Sequence, residues 1–229
     1  MNYLAIVQRI MREAGRTDGE PDSIANAVGD ARLAADWAAD AARNLDLEAH
    51  NWRWLIKRVA AGIIAPGSAT VTAASMGLTD FARWREAGRD WSPVVTDGTT
   101  RWALRWMPYD AWLMRFAAPH DAAPPAFWSV TNDGALALGP TPNVALTIDI
   151  QYRRSATQLA ADADVPLIPD ESLHSIIVWR ALAETGGYES APEMFSRAAA
   201  NYDKMPILRL LGAAFCNCSS CLAASSKRP

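Results

Sequence analysis

Hydrophobic periodicity changes twice along this chain, and that double change limits its possible folds more than any other feature. Near the start, Leu4, Val7, Ile10 and Met11 recur at helical spacing, with Gly15 placed to end the helix. A linker rich in Gly, Asp and Pro follows. Over 30–48, Leu33, Trp37, Ala41 and Leu45 recur every four residues, flanked by Ala34, Ala38 and Ala42. The pattern predicts a second helix whose small residues let a neighbour approach closely. Asp30 reads as its N-cap, a carboxylate able to accept from a free N–H of the first turn.

Beyond His50 the helical spacing is lost. The aromatic-basic cluster Asn51-Trp52-Arg53-Trp54-Leu55 leads into short segments rich in Val, Ile and Thr. Strands are predicted at 70–72, 101–107, 126–131, 135–138 and 146–152, separated by Pro-Gly, Asp-Gly and Gly-Pro punctuation. Residues 127–131 and 135–138 flank Asn132-Asp133-Gly134, which reads as an antiparallel hairpin with a glycine at its turn. A short helix is expected over 109–116, because Pro108 suits the start of a first turn.

After an acidic linker over 160–169, helical spacing returns. Leu173, Ile176, Ile177, Val178, Trp179 and Leu182 lie on all sides of a helix starting near Pro169 or Asp170, which is therefore expected to be buried, with Gly186 and Gly187 ending it. A last helix from about Ser190 carries Met194, Phe195, Ala198, Tyr202 and Met205 on one face before Pro206 interrupts it. Helices, then strands, then helices fit an α+β class better than alternating βαβ units. The expected arrangement is a helical bundle built from residues 1–50 and 159–210, an antiparallel β region inserted over 51–158, and a tail over 211–229.

The half-apolar composition of 229 residues is enough for a core without disulfide staples. The N-terminus alternates apolar and charged residues and reads as neither a secretory nor a transit signal, so synthesis in a cytoplasm is expected. The longest weakly polar stretch, 59–78, is broken by Pro66 and Gly67, and no membrane segment is expected. A net charge of −3 gives no basic footprint for specific nucleic-acid binding. No phosphate loop, G-x-G-x-x-G turn, nucleophile elbow or H-E-x-x-H pair occurs. Asp162, Asp164, Asp170 and Glu171 form the best carboxylate group, but they lack the loop pattern of a calcium site and read as a solvated linker with a helix cap. Cys216, Cys218 and Cys221 offer three of the four ligands a closed zinc site wants, while His50, His120 and His174 are distant in sequence. The expectation is a non-enzymatic protein with neither cofactor nor metal.

Ten tryptophans are the other unusual feature. Several stand beside arginine, as in Trp52-Arg53-Trp54, Trp84-Arg85 and Arg101-Trp102, a composition found at the centres of protein interfaces. A tryptophan-rich core explains them equally well. A carbohydrate-binding module, or another Trp-rich interaction module, is the alternative reading, although no flat β platform is evident from their spacing.

The ordered pieces together resemble the head-tail adaptor family of tailed bacteriophages. They are Tyr3-Leu4, Val7 and Met11-Arg12-Glu13-Ala14-Gly15; Trp52-Arg53-Trp54-Leu55; Asp80-Phe81 with Trp84-Arg85; Leu136, Leu138, Pro140 and Pro142 leading to Ile150 and Tyr152-Arg153-Arg154; Pro166 and Ile168-Pro169 before His174 and Ile177; and Tyr188-Glu189. They span residues 3 to 205. The resemblance implies a virion protein forming a ring of about twelve copies. That ring docks on the portal protein, extends the DNA channel and presents a platform to a downstream tail or nozzle protein. Mild acidity suits a conduit through which DNA passes without specific binding, since each neutralised phosphate adds affinity. Trp52, Arg53, Trp54, Trp84 and Arg85 are the expected structural or interface anchors. Tyr202, Met205 and Leu208 belong to the expected portal-facing element.

Overall fold

The computed structural model describes residues 1–16, 19–48, 52–85, 91–118, 121–188 and 191–204. Helices and strands are mixed in an α+β fold, and the chain divides into two compact units, one of residues 1–50 with 156–229 and the other of residues 51–155.

The first unit is helical. Helix α1 (Tyr3–Glu13) starts at Asn2, whose side chain accepts from the Ala5 N–H, and buries Tyr3, Ile6, Val7, Ile10 and Met11. Just past its end, Gly15 takes a positive φ that a side chain would strain. Helix α2 (Asp30–Glu48) buries Ala31, Ala34, Ala35, Ala38, Ala41 and Ala42 with Leu45, whereas Leu33 is exposed. Of the expected stripe, Ala41 and Leu45 are buried with the flanking Ala34, Ala38 and Ala42, Trp37 is half-buried, and only Leu33 falls outside the buried face. Close helix approach rewards the smallest side chains, and Leu33 is left to solvent. The expected cap also differs: the Leu33 N–H donates to the Gly29 carbonyl, and Asp30 pairs instead with Arg16 at 3.2 Å.

A one-turn 3-10 helix, Glu171–His174, is capped by Asp170 and runs into α4 (Ser175–Tyr188). Ile176, Ile177, Val178, Ala181 and Leu182 are all fully buried. Gly186 and Gly187 do not end this helix; both lie inside it. A Cβ on Gly186 would stand 2.7 Å from the backbone nitrogen of Phe195, so that glycine admits α5 (Pro192–Asp203) rather than stopping α4. Helix α1 packs on α2 and α4, α2 packs on α4, and α4 packs on α5. The Tyr3 hydroxyl donates to the Ala35 carbonyl at 2.8 Å, tying α1 to α2.

The second unit holds two sheets. One has the order β1-β9-β4-β5, built from β1 (Ile56–Ile64), β4 (Val94–Thr96), β5 (Arg101–Ala103) and β9 (Leu146–Arg154), with β3 (Phe81–Trp84) also paired to β9. The other has the order β2-β8-β7-β6, from β2 (Thr70–Val71), β6 (Arg105–Trp106), β7 (Phe127–Val130) and β8 (Leu136–Gly139). All pairs are antiparallel except β6 with β7, which run parallel. The expected single strand over 101–107 is thus two, β5 in one sheet and β6 in the other, with Leu104 buried between them. Strands β1, β3 and β4 carry no clean alternation in sequence and were not expected.

Trp84, Val95, Trp128, Leu136, Leu138, Ile148 and Ile150 belong to one core to which both sheets contribute. On the far side of β8, Ala137 meets Trp112 and Phe116 of α3 (Tyr109–Phe116). Strand β8 is therefore buried on both faces, and Gly139 is small because a Cβ there would overlap the Phe116 ring. The β7–β8 hairpin closes as its sequence predicts: the Thr131 N–H donates to Ala135 O at 2.9 Å, and Gly134 has a φ of 81°.

Candidate interaction surfaces

The expected anchors fall in different environments. Trp52 is 3% exposed and stacks on Trp54 with ring centroids 4.1 Å apart, while Arg53 between them points to solvent. The two rings face each other because residues 53–55 make a single 3-10 turn. Trp84 is also 3% exposed, and its indole N–H donates to the Gly134 carbonyl at 3.0 Å. Arg85 donates to the Gln151 side chain and lies 5.6 Å from the Trp91 ring centroid. The guanidinium of Arg180 on α4 lies 5.6 Å from the Tyr202 ring centroid. Met205 and Leu208 lie outside the described residues, as do Cys216, Cys218 and Cys221. Trp112 and Trp128 are buried too, and Trp106 is the one tryptophan classed as exposed, at 43%. Trp91 and Trp106 both meet Trp128 edge-on, so these rings pack on one another rather than forming a flat platform.

The five-stranded sheet turns a different set of residues outward. Alternation along β9 sends Leu146, Ile148, Ile150 and Tyr152 into the core and leaves Thr147, Asp149, Gln151 and Arg153 on the opposite face. Arg58 on β1 reaches across that face to Asp149 in a two-pronged ion pair, and Arg101 on β5 meets the same carboxylate at 3.3 Å. The hydrogen bond from Arg58 holds the Asp149 carboxyl below the usual carboxylate range against the opposing effect of burial, with the charges of Arg58 and Arg101 assisting. Register places Arg83 opposite Arg153 on the same face. Ile63 on β1, opposite Thr147, is 76% exposed there. The core side of this sheet has its own polar tie: Asp80 accepts from Lys57 at 2.5 Å and from the Tyr152 hydroxyl at 2.7 Å. Burial and the bond to Asp80 push the Tyr152 hydroxyl up to about 12.

The model of the SU10 adaptor protein family matches residues 1–211. The chain belongs to the SU10 adaptor protein family. No curated protein matches it. The resemblance to phage head-tail adaptors carried by residues 3 to 205 is thereby borne out, and the adaptor is a structural component of a bacteriophage particle. Its family is not an enzyme class.

In this adaptor the acidic linker is occupied by backbone amides. Asp162 accepts from the Ile24 N–H at 2.6 Å, and Asp164 accepts from Ala160 and Ala161, each at 2.7 Å. The carbonyls of Asp164 and Asp162 accept from the first-turn N–H groups of Tyr3 and Leu4, which gives α1 its start. Asp170 caps the 3-10 turn. Among the described residues, no group of three or more His, Cys, Asp and Glu is placed to hold a metal ion, and no helix is long and apolar enough to cross a membrane. His174 is buried, its Nε2 donating to the Ile168 carbonyl at 2.8 Å. The sequence reading missed the Arg58, Asp149 and Arg101 cluster. Its signal was the alternation of charged with apolar residues in Ile148-Asp149-Ile150-Gln151-Tyr152-Arg153, but the partners lie on strands far away in the chain.

Proposed function

We propose that this adaptor is the repeating subunit of a ring of about twelve copies seated beneath the portal protein of a tailed phage. The ring extends the DNA channel and offers the platform on which a downstream tail or nozzle protein attaches. DNA passes through its lumen without specific binding. Residues from both ends of the chain form its helical bundle, and α5 with the residues after it faces the portal. Trp52, Trp54 and Trp84 act from within as anchors that hold the β unit's shape, while Arg53 and Arg85 serve contacts around them. The observation that carries this reading is the family match over residues 1–211.

The test is to mix the purified protein with a preassembled portal ring from the same genome and to follow mass by light scattering, with a parallel run lacking the portal. A mass step of about a dozen subunits per portal ring is expected. No association at any salt concentration would refute the reading.

A further inference from the structure

Helix α2 is apolar on two opposite sides, and one of them is buried. Its alanines and Leu45 make the buried side, where α1 and α4 pack. At about 100° per residue, Leu33, Trp37, Asp40, Asn44 and Leu47 fall in one stripe on the other side. Their alternating steps of four and three residues are the seam spacing of helices that pack along their length. Leu33 is 43% and Leu47 59% exposed, Trp37 and Asn44 are half-buried, and the Asp40 carboxylate is paired with Arg43 at 2.6 Å. The sequence after α5 supplies a matching stripe. Pro206 opens a stretch over 206–215 whose single charge is Arg209 and in which Ile207, Leu208, Leu211 and Phe215 recur at helical spacing. The family match runs through this stretch as far as residue 211.

We infer that residues 206–215 of one subunit seat on the outward stripe of α2 in a second copy of the same chain. The length of the link decides against the subunit's own α2. Helix α5 packs on α4, and the stripe is on the side of α2 turned away from α4. A helix seated on that stripe stands two interaxial steps of about 8–10 Å each from α4. From Lys204, which caps α5, to Pro206 the chain spans at most about 7 Å. That reach does not carry the segment round its own bundle, but it does let the segment cross to a neighbour. An arm given to one neighbour and a stripe offered to the other are the two different faces that a closed ring needs. The inference rests on the ring reading and specifies its subunit contact. Of the residues after α5, 206–215 then hold the neighbouring copy, and 216–229 are left to face the portal.

The experiment uses the full chain on portal rings. Loading of the unaltered protein comes first; its failure overturns the ring reading and this contact with it, whereas the later outcomes bear on the contact alone. Leu33→Cys and Leu47→Cys, made separately, each add one thiol to a chain whose own cysteines, Cys216, Cys218 and Cys221, directly follow the arm. Rings are loaded from a mixture of isotopically heavy and light copies and mildly oxidised. At one of the two positions, mixed-isotope disulfide peptides to the native cysteines are expected, in higher yield than from Leu113→Cys on α3. Links within single copies alone, links to the portal alone, or a yield no higher than that of Leu113→Cys overturn the inference. A second variant, Leu33→Gln with Leu47→Gln, removes the apolar contact at two exposed positions without adding charge. It is expected to keep the Tm of the unaltered protein and to raise the half-loading concentration by about tenfold or more. Loading unchanged in midpoint also overturns the inference.

Discussion

Replacing Gly186 by alanine sets two well-known effects against each other, and the structure decides the sign. Alanine is favoured over glycine inside a helix by about 1 kcal/mol, so propensity alone predicts that Gly186→Ala stabilises α4. The added Cβ, however, would lie 2.7 Å from the Phe195 backbone nitrogen, 3.0 Å from its Cα and 3.2 Å from its Cβ. Nonbonded heavy atoms prefer roughly 3.5 Å or more, so α5 would have to retreat by roughly 0.8 Å. Two of the three obstructing atoms are backbone, and no rotamer change removes them. Overpacking of this kind costs about 1–3 kcal/mol, which exceeds the propensity gain at all but the low end of that range. The expected net loss is about 0–2 kcal/mol, or roughly 0–8 °C in Tm for a chain of this size. Thermal unfolding followed by circular dichroism gives the number. Phe195→Ala supplies the control: because the backbone remains, the double variant should keep the full penalty of Gly186→Ala. A stabilised single variant, or rescue by Phe195→Ala, would refute the close-approach argument.

Asp46 is fully buried and accepts from both the N–H and the hydroxyl of Thr157, at 2.7 and 2.6 Å. Asp46→Ala leaves two buried donors unsatisfied and should cost about 2–4 kcal/mol, read as a lower denaturant midpoint with unchanged slope. Asp80 responds to pH: burial raises its pKa, but bonds from Lys57 and Tyr152 outweigh that and lower it overall. A carboxylate lowered on folding stabilises above its unfolded value and loses that contribution as pH falls through the folded one. Asp80→Asn should therefore cost about 1 kcal/mol or less at neutral pH, given its partial exposure, and the difference from the unaltered protein should vanish well below pH ~4 in paired melts. Gly139→Ala forces the Phe116 ring out of its place against β8; an altered near-ultraviolet circular dichroism with intact far-ultraviolet signal is the expected result, and an unchanged spectrum would count against that packing.

Features set by near neighbours were legible without the structure. The Gly15 stop of α1, the extents of α2 and α3, the Pro108 start and the Asn132-Asp133-Gly134 hairpin follow from apolar spacing, ring constraints and turn chemistry acting over a few residues. The α+β class and the order of its segments were also in the chain's periodicity. Tertiary structure decided the rest, because the quantities involved are distances between residues remote in sequence. Gly186 reads as a helix stop until α5 is seen lying against it. Leu33 outranks Ala35 on any hydropathy scale, yet the alanine face is buried because helices gain more from close approach than from one large side chain. Strand β9 pairs with β1, β3 and β4, whose residues lie 51 to 97 positions before their partners, and only that register, with β5 on β4, puts Arg58, Arg101 and Asp149 on one face. Local sequence determines which backbone shapes are cheap; long-range pairing determines which charges share a surface.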